Sequence, residues 1–352
     1  MASSIETTST TTTLKNNGNT YMSVDTNDVV TMNVTSLNGG QLAGNRNKII
    51  NGDMSIWQRG TTASYSVTST KYDTADRWLM RSTGTSDVTT SQQSFTVGQT
   101  DVPNNPKYFY RWNITSWTAS TGLLQNRIED VASVSGGTYT LSFWAKCSAA
   151  QDVTPSFIQY FGSGGSTSVT TTNSAISLST SWQKFTSTVA IPSVSGKTIS
   201  GGNDYLAIQI AMPAAVSTVD IALVQLEAGT VATPFEHRSY GTELALCQRY
   251  CFVYKPSSNY APYLMAHGIN TTQMRGLLKF PQTMRSSPSL TFTAANTFQW
   301  SYGNVATSIA IAEQGVDMSS VHIHSTGIVA KEGYMITSAN TTSSSITGSA
   351  EL

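Results

Sequence analysis

The stretch Thr138-Tyr-Thr-Leu-Ser-Phe-Trp-Ala-Lys146 has a two-residue period in its side chains. Its odd-numbered positions, from Tyr139 to Ala145, would share one face of a β-strand, because successive side chains of a strand point to opposite faces. Further strand-like stretches follow after Gly- and Ser-rich turns, at residues 156–161, 182–191, 205–212 and 219–226. Short strands at this spacing, with no helical pattern between them, predict a jelly-roll β-sandwich over residues 47–237.

The composition of the chain also favours β-structure. Only 11% of the 352 residues are charged, against about 25% in an average soluble domain. The polar residues are instead mostly Ser and Thr, and β-branched Thr suits a half-buried pleated surface. With 39% apolar residues and seven Trp, the chain has enough material for packed cores and is not of the disordered class.

The charge balance and the hydropathy pattern limit the partners of the chain. The net charge is zero, so there is no basic patch to neutralise phosphates, and nucleic acid is not an expected partner. Weak repulsion between copies is compatible with self-association. The longest apolar stretches, such as 205–212, are far shorter than a membrane span. The first residues lack a secretory signal, and three cysteines without framework spacing predict folding in a reducing cytoplasm.

The N-terminal segment, residues 1–46, differs from the rest of the chain. Residues 1–18 are rich in Ser, Thr and Asn, and a tract of this kind predicts an arm that becomes ordered only against a partner. From Thr20 onward, a two-residue period predicts two short strands that end at the turn Asn38-Gly-Gly40. A single hairpin is marginally stable in water, so we expect it to pair between chains.

One helix is predicted, at residues 239–252. Ser239 or Thr242 could cap its first turn. Four of its residues have the i, i+3, i+4, i+7 spacing of one helix face: Leu244, Cys247, Gln248 and Cys251. Cys247 and Cys251 are interpreted as small packing residues, since no further metal ligands lie near them in sequence.

Strand-like stretches return after this helix. They occur at 263–267, 275–280, 290–292, 298–302, 308–312, 321–329 and 334–338. We interpret them as a second, smaller β-sandwich, which with the linking helix makes up residues 238–352. Residues 341–349 are again rich in Ser and Thr and predict a solvated tail.

No sequence motif indicates catalysis. A nucleophile elbow, a phosphate-binding glycine loop, a zincin motif and a CxxC pair are all missing from the sequence. The adjacent carboxylates Glu129 and Asp130 would point to opposite faces of a strand, which makes them a poor acid/base couple. We therefore expect no enzymatic activity, although a site built from carboxylates distant in sequence would not be visible.

His322 and His324 are weak candidates for a metal site. On a strand both imidazoles would face the same side, about 7 Å apart. Three chains meeting on an axis there could offer six nitrogens to a transition metal. A single His-x-His pair also fits exposed strand histidines, which is the interpretation we favour, so no cofactor is expected.

Clustered aromatic residues are the candidates for ligand binding. Tyr108-Phe-Tyr-Arg-Trp112 and Trp117 place several large rings within ten residues, and Trp300 and Tyr302 share one face of a short strand. A flat ring with a polar edge suits the face of a sugar. The alternative for Trp112, Trp117, Trp300 and Tyr302 alike is that the ring fills a core.

Two pairs of phrases carry a resemblance to a known class of protein. The first pair is Asn47-Lys-Ile-Ile-Asn-Gly-Asp-Met-Ser-Ile-Trp-Gln-Arg-Gly60 with Tyr72-Asp-Thr-Ala-Asp-Arg-Trp78. The second is Val224-Gln-Leu-Glu-Ala-Gly-Thr-Val-Ala-Thr-Pro-Phe-Glu236 with Tyr240-Gly-Thr-Glu-Leu-Ala-Leu-Cys-Gln-Arg-Tyr250. They resemble the opening and closing phrases of a β-sandwich domain found in bacteriophage tail fibers and related virion appendage proteins. The resemblance covers residues 20–285.

The resemblance implies a fold, an assembly and a location. It implies a jelly roll like that of carbohydrate-binding modules, a homotrimer, an N-terminal segment held by another virion protein, and a place on the virion. The expected function is a tail fiber or receptor-binding protein that recognises a host surface glycan through many weak contacts. The alternatives are a structural appendage without a ligand, such as a head fiber, decoration protein or tail connector, and a glycan depolymerase.

Overall fold

The structure is a computed structural model that describes residues 3–7, 11–16, 19–25, 30–32, 45–84, 87–118, 121–301 and 303–352. Its N-terminal part is an antiparallel sheet with the order β1-β2-β3-β4. The strands are β1 (Ser3–Thr7), β2 (Thr11–Asn16), β3 (Asn19–Asp25) and β4 (Val30–Met32). Strands β1 and β2 lie within the segment 1–18 and pair with each other, whereas its dependence on a partner for order stays a prediction. The expected turn at 38–40 lies outside the described residues.

Thirteen strands follow between residues 62 and 228. They are β5 (Thr62–Tyr65), β6 (Ser69–Lys71), β7 (Trp78–Ser82), β8 (Asp87–Ser94), β9 (Tyr108–Ser116), β10 (Gly122–Glu129), β11 (Gly137–Cys147), β12 (Gln151–Tyr160), β13 (Val169–Thr172), β14 (Ile176–Leu178), β15 (Gln183–Ile191), β16 (Tyr205–Ala211) and β17 (Ser217–Ala228). A short 3-10 helix, Val131–Val134, is capped by Asp130, so Glu129 and Asp130, which were expected on one strand, are a strand end and a helix cap.

These strands form two packed sheets. The front sheet has the order β15-β11-β17-β9-β8-β5, and the back sheet has the order β13-β12-β16-β10-β7-β6, with β14 paired to β12. Large residues from both sheets, such as Trp78, Trp112, Phe143 and Phe157, are almost fully buried in one continuous core. The prediction that the odd-numbered side chains of residues 139–145 share one face is confirmed, since all four lie in the sandwich core. The prediction of an all-β sandwich is confirmed as well.

The helix after the sandwich is shorter than predicted. Helix α1 spans Tyr240–Gln248, and the Ser239 hydroxyl caps it by accepting a hydrogen bond from the backbone of Thr242 at 3.3 Å. Cys251 does not continue this helix, because it begins strand β18 (Cys251–Tyr254). No helix among the described residues is both long and apolar enough to cross a membrane.

The C-terminal part consists of two further sheets. Its other elements are β19 (Pro262–Asn270), β20 (Gln273–Lys279), β21 (Ser289–Phe292), a 3-10 helix (Ala295–Thr297), β22 (Phe298–Ser301), β23 (Asn304–Val305), β24 (Ser308–Gln314), β25 (Met318–His324), β26 (Gly333–Ser338) and β27 (Ile346–Ser349). One sheet has the order β18-β27-β21 and the other β23-β22-β26-β19-β20-β25-β24. They share a second core, which includes Phe252, Met274 and Phe298.

The expected solvated tail at 341–349 is wrong in its second half. Strand β27 lies between β18 and β21 and pairs with both. Gly348 makes this possible, since a Cβ there would lie 2.2 Å from the ring of Phe252. The chain then continues to Glu351 and Leu352, which contact the sandwich. The boundary proposed at residue 237 stays a prediction.

Candidate functional site

The phrases that carry the resemblance fold into a buried polar network. The side chain of Asn51 donates to the backbone carbonyls of Ile56 and Asp76 at 2.9 and 2.8 Å, and the backbone carbonyl of Asn51 accepts from the indole of Trp78. The backbone N–H of Asn51 donates to Glu243, which lies on α1. In this way the first pair of phrases is tied directly to the second.

Charged residues complete this network, and we call Arg59, Asp76, Arg77 and Glu351 the junction network. Glu351 pairs with Arg59 at 2.9 Å and with Arg77, while Arg59 also pairs with Asp76 at 3.3 Å. The Arg77 guanidinium lies 3.5 Å from the centre of the Tyr250 ring. Burial raises the pKa of Asp76 to about 6, although Arg59 acts in the opposite direction. Asp76 and Arg77 are both 0% exposed, so this network offers no open site. Through Glu351 it joins the sandwich to the C-terminal part.

An open site lies on the outer surface of the front sheet. Cross-strand pairing aligns Ser91 on β8, Arg111 on β9, Asp220 on β17 and Lys146 on β11 in one row. Directly opposite side chains on one sheet face lie close enough to interact. The row borders a groove of about 350 Å³ that we call the front groove; its lining residues are Arg111, Lys146, Cys147, Ser148, Thr180, Thr218 and Asp220.

Charged groups dominate the floor of the front groove. Arg111 donates to both carboxylate oxygens of Asp220, at 2.7 Å from Nε and 2.9 Å from a terminal nitrogen. The Lys146 ammonium lies 3.8 Å from the same carboxylate. The Asp220 side chain is only 3% exposed, whereas those of Arg111 and Lys146 are 34% and 33% exposed. A ligand entering the groove therefore meets mainly the two cations.

An aromatic cluster lies next to the groove, beside its two cationic side chains. The ring centre of Trp182 lies 5.2 Å from that of Phe95 and 5.3 Å from that of Phe109. The Lys146 ammonium lies 5.3 Å from the Trp182 ring, and the Arg111 guanidinium lies 5.6 Å from the Phe109 ring. Both contacts are within the range of cation–π attraction. Rings beside hydrogen-bonding groups are the combination that binds a polar ligand with an apolar face.

The described aromatic candidates are divided between two cores, with Trp112 and Trp117 at the sandwich core and Trp300 at the C-terminal core. Trp112 is 0% exposed in the sandwich core, so it is a core residue and not the surface residue that ligand binding requires. Trp117 is partly buried against the same core. Trp300 packs against the C-terminal core, with its ring edge-on to Tyr334 at 4.8 Å. The candidate Tyr302 lies outside the described residues.

The histidine pair is on one strand face, as the sequence indicates. His322 lies opposite Arg275 and His324 opposite Gln273. The Arg275 side chain donates to His322 at 3.3 Å, and a guanidinium at this distance opposes the binding of a metal cation. Within the described residues, no group of three or more His, Cys, Asp or Glu side chains could hold a metal ion.

Comparison with known proteins gives structural neighbours only. No protein-family model and no curated protein matches the chain. The enzymatically active domain of tailspike protein 4 from bacteriophage CBA120 is 15% identical, with a TM-score of 0.34 over 52% of this chain and 21% of that one. A family 4 carbohydrate-binding module is 17% identical, with a TM-score of 0.30 over 51% of this chain and 99% of that one.

A third neighbour is the CBM22-2 xylan-binding domain of Xyn10C from Paenibacillus barcinonensis, 18% identical, with a TM-score of 0.29 over 43% of this chain and 91% of that one. This chain thus matches only about a fifth of the tailspike chain. At such low scores the likeness does not indicate a ligand. The front groove must be judged on its own residues.

Most residues of the front groove could not be recognised from the sequence, although one signal was present. In Tyr108-Phe-Tyr-Arg-Trp112 the alternation that buries Trp112 places Arg111 on the opposite, outer face. Lys146 likewise follows Ala145, which is buried. Trp182 and Asp220 had no such signal, because only the sheet order brings them beside Arg111 and Lys146.

Proposed function

We propose that this chain is a non-catalytic, glycan-binding subunit of a tailed-phage virion appendage, most simply a tail fiber or receptor-binding protein. The observation that carries the proposal is the front groove, whose partly exposed cationic donors lie beside the half-buried ring of Trp182. The flat side of a sugar ring packs on an aromatic ring, and the sugar hydroxyl groups accept hydrogen bonds from donors beside that ring. The phrase resemblance supports the assignment to a virion.

Assembly and location are part of the same proposal. The chain acts as a homotrimer on the virion, is made in the host cytoplasm, and binds another virion protein through residues 1–46. Three copies multiply weak contacts into useful avidity, because the second and third binding events are intramolecular. Glycan cleavage plays no role in this proposal. The carboxylate of Glu129, for example, is held by Arg249 at 3.0 Å and by the Tyr250 hydroxyl at 2.8 Å.

The second candidate is a structural appendage without a ligand, such as a head fiber, decoration protein or tail connector. The junction network favours it, because the phrases that carry the resemblance are used inside the molecule. Such residues stabilise the fold of an appendage and give no support to receptor binding. The two candidates therefore differ in one measurable property, namely binding to cells.

The test is binding of the full-length protein to a panel of intact bacteria, with its mass measured by light scattering. We expect saturable binding by a species of about three times 37.7 kDa. Trp182→Leu is expected to weaken binding at least tenfold. The matched control Trp300→Leu, which changes another half-buried Trp, is expected to bind as the parent protein does.

Two results would change the proposal. Equal binding by Trp182→Leu and the parent protein would remove the front groove as the site. Absence of binding to any cell in the panel would favour the structural appendage. Deleting residues 1–46 is expected to leave cell binding intact while preventing incorporation into virions, and loss of cell binding would contradict the role given to that segment.

A further inference from the structure

We propose that the front groove selects acidic sugars, namely sugars that carry a carboxylate, over their neutral counterparts. This inference rests on the proposed glycan-binding function and specifies its ligand class. Two cationic side chains, Arg111 and Lys146, share the single carboxylate of Asp220. One positive charge therefore remains in excess within the row, in a chain whose net charge is zero.

The position of these charges favours an anionic ligand. Asp220 is nearly buried, and both of its carboxylate oxygens accept hydrogen bonds from Arg111. Its negative charge is therefore already paired within the protein. Arg111 and Lys146 are each about one-third exposed at the groove. An incoming carboxylate would face the two cations first and the Asp220 carboxylate only behind them.

Hydrogen-bond donors remain for such a ligand. Arg111 uses Nε and one terminal nitrogen on Asp220, which leaves its second terminal nitrogen without a hydrogen-bond partner in the described part of the chain. Lys146 lies 3.8 Å from Asp220, beyond hydrogen-bond distance, and donates to no other described residue. Charge-assisted hydrogen bonds to a carboxylate are about twice as strong as neutral ones. A neutral hydroxyl would use the same donors less well.

The Trp182 ring beside the groove favours an anion that is carried on a sugar. Trp182 places its ring 5.3 Å from the Lys146 ammonium, so one ligand can pack on the ring and reach the cation. A uronic or sialic acid offers both a hydrocarbon face and a carboxylate on one small ring. The groove volume of about 350 Å³ is at the lower end of small-molecule sites and fits one or two sugar units.

The experiment compares acidic sugars with matched neutral ones. The full-length protein is titrated calorimetrically with trigalacturonic acid, a hyaluronan tetrasaccharide and α2,8-trisialic acid, and with the carboxyl-reduced form of each. We expect at least one acid to bind ten or more times tighter than its reduced form, with affinity falling as salt rises. Lys146→Gln is expected to remove this difference and Lys146→Arg to retain it. Lys71→Gln, an exposed lysine on β6 of the back sheet, is the charge-matched control.

The outcomes separate this inference from the proposed function. If no acid binds tighter than its reduced form, the acidic preference is overturned. The proposed glycan binding is still supported in that case if the parent protein binds cells and Trp182→Leu does not. If Lys146→Gln keeps the preference while its thermal unfolding matches that of the parent protein, the front groove is not its source. Loss of cell binding by Lys146→Gln, with Lys71→Gln unaffected, would support the proposal on the natural ligand.

Discussion

Arg77 and Glu351, 274 positions apart in the chain, form an ion pair in which both side chains are buried. Arg77 belongs to the phrase Tyr72–Trp78, and Glu351 follows the central strand of the three-stranded C-terminal sheet. Arg59 contacts the same carboxylate. The Glu351 carboxylate thus links the C-terminal part to the sandwich through ion pairs with two arginines.

Removing the Glu351 carboxylate is expected to lower the free energy of unfolding. Glu351→Gln leaves the buried Arg77 guanidinium without its anionic partner, and breaking a buried ion pair from one side costs about 3 kcal/mol of unfolding free energy. The control Glu313→Gln breaks a pair in which the carboxylate is 73% exposed and should cost less than about 1 kcal/mol. Urea denaturation measures both. Equal losses in the two variants would show that the junction network does not stabilise the fold.

The pH dependence of stability should carry a contribution from Asp76. Its pKa is raised to about 6 in the folded protein, mainly by burial, so the folded state binds the proton more tightly than the unfolded state does. This contribution to stability is therefore fully present below the ordinary pKa of 3.8 and is lost as the pH rises through about 6. The loss amounts to about 3 kcal/mol, since one pKa unit corresponds to about 1.4 kcal/mol.

Asp76→Asn tests this assignment, because the amide stays uncharged at every pH. We expect the unfolding free energy of the variant, relative to the parent protein, to increase between pH 4 and pH 7. Arg59 keeps Glu351 as its partner in this variant. Asp101→Asn, at an exposed loop position, should show no such change. Parallel pH curves for Asp76→Asn and the parent protein would mean that Asp76 titrates normally.

Gly52 is a position in the first phrase where a side chain cannot be accommodated. A Cβ there would lie 2.1 Å from the carbonyl oxygen of Val224, a backbone atom of β17 that cannot move aside cheaply. Gly52→Ala is expected to lower the unfolding free energy by about 2–3 kcal/mol. Gly241→Ala, on α1 with open space around it, is expected to raise it by up to about 1 kcal/mol. Thermal unfolding of both variants checks the contrast, and a stable Gly52→Ala protein would contradict it.

The three cysteines are expected to be unreactive in the folded protein. All three are free and buried, and burial raises the pKa of Cys251 to about 12 and that of Cys247 well above its ordinary value. The thiolate is the reactive form. A colorimetric disulfide reagent should detect no thiol in native protein at pH 8 and three in urea. A fast-reacting thiol in the native protein would show that one of these sites opens to solvent.

Local sequence patterns predicted most of the strands but not their ends or partners. The alternation at 138–146 identified β11 and its buried face, because a side-chain period of two is a local property of the backbone. The helix predicted at 239–252 is too long at its C-terminal end. Cys251 fits the helix period but lies in strand β18, which pairs with β27. Residues 346–349 gave no strand signal, because their place between β18 and β21 comes from partners far away in the chain.

The candidate site shows the same division. The sequence by itself determined that the chain is an all-β protein with few charges, and that Arg111 and Trp112 point to opposite faces of their strand. Only the tertiary structure decided that Arg111, Asp220 and Lys146 stand in one row beside Trp182, and that the phrases around Arg77 are closed by Glu351. The physical reason is that periodicity fixes which way a side chain points, whereas the order of strands in a sheet fixes which side chains meet.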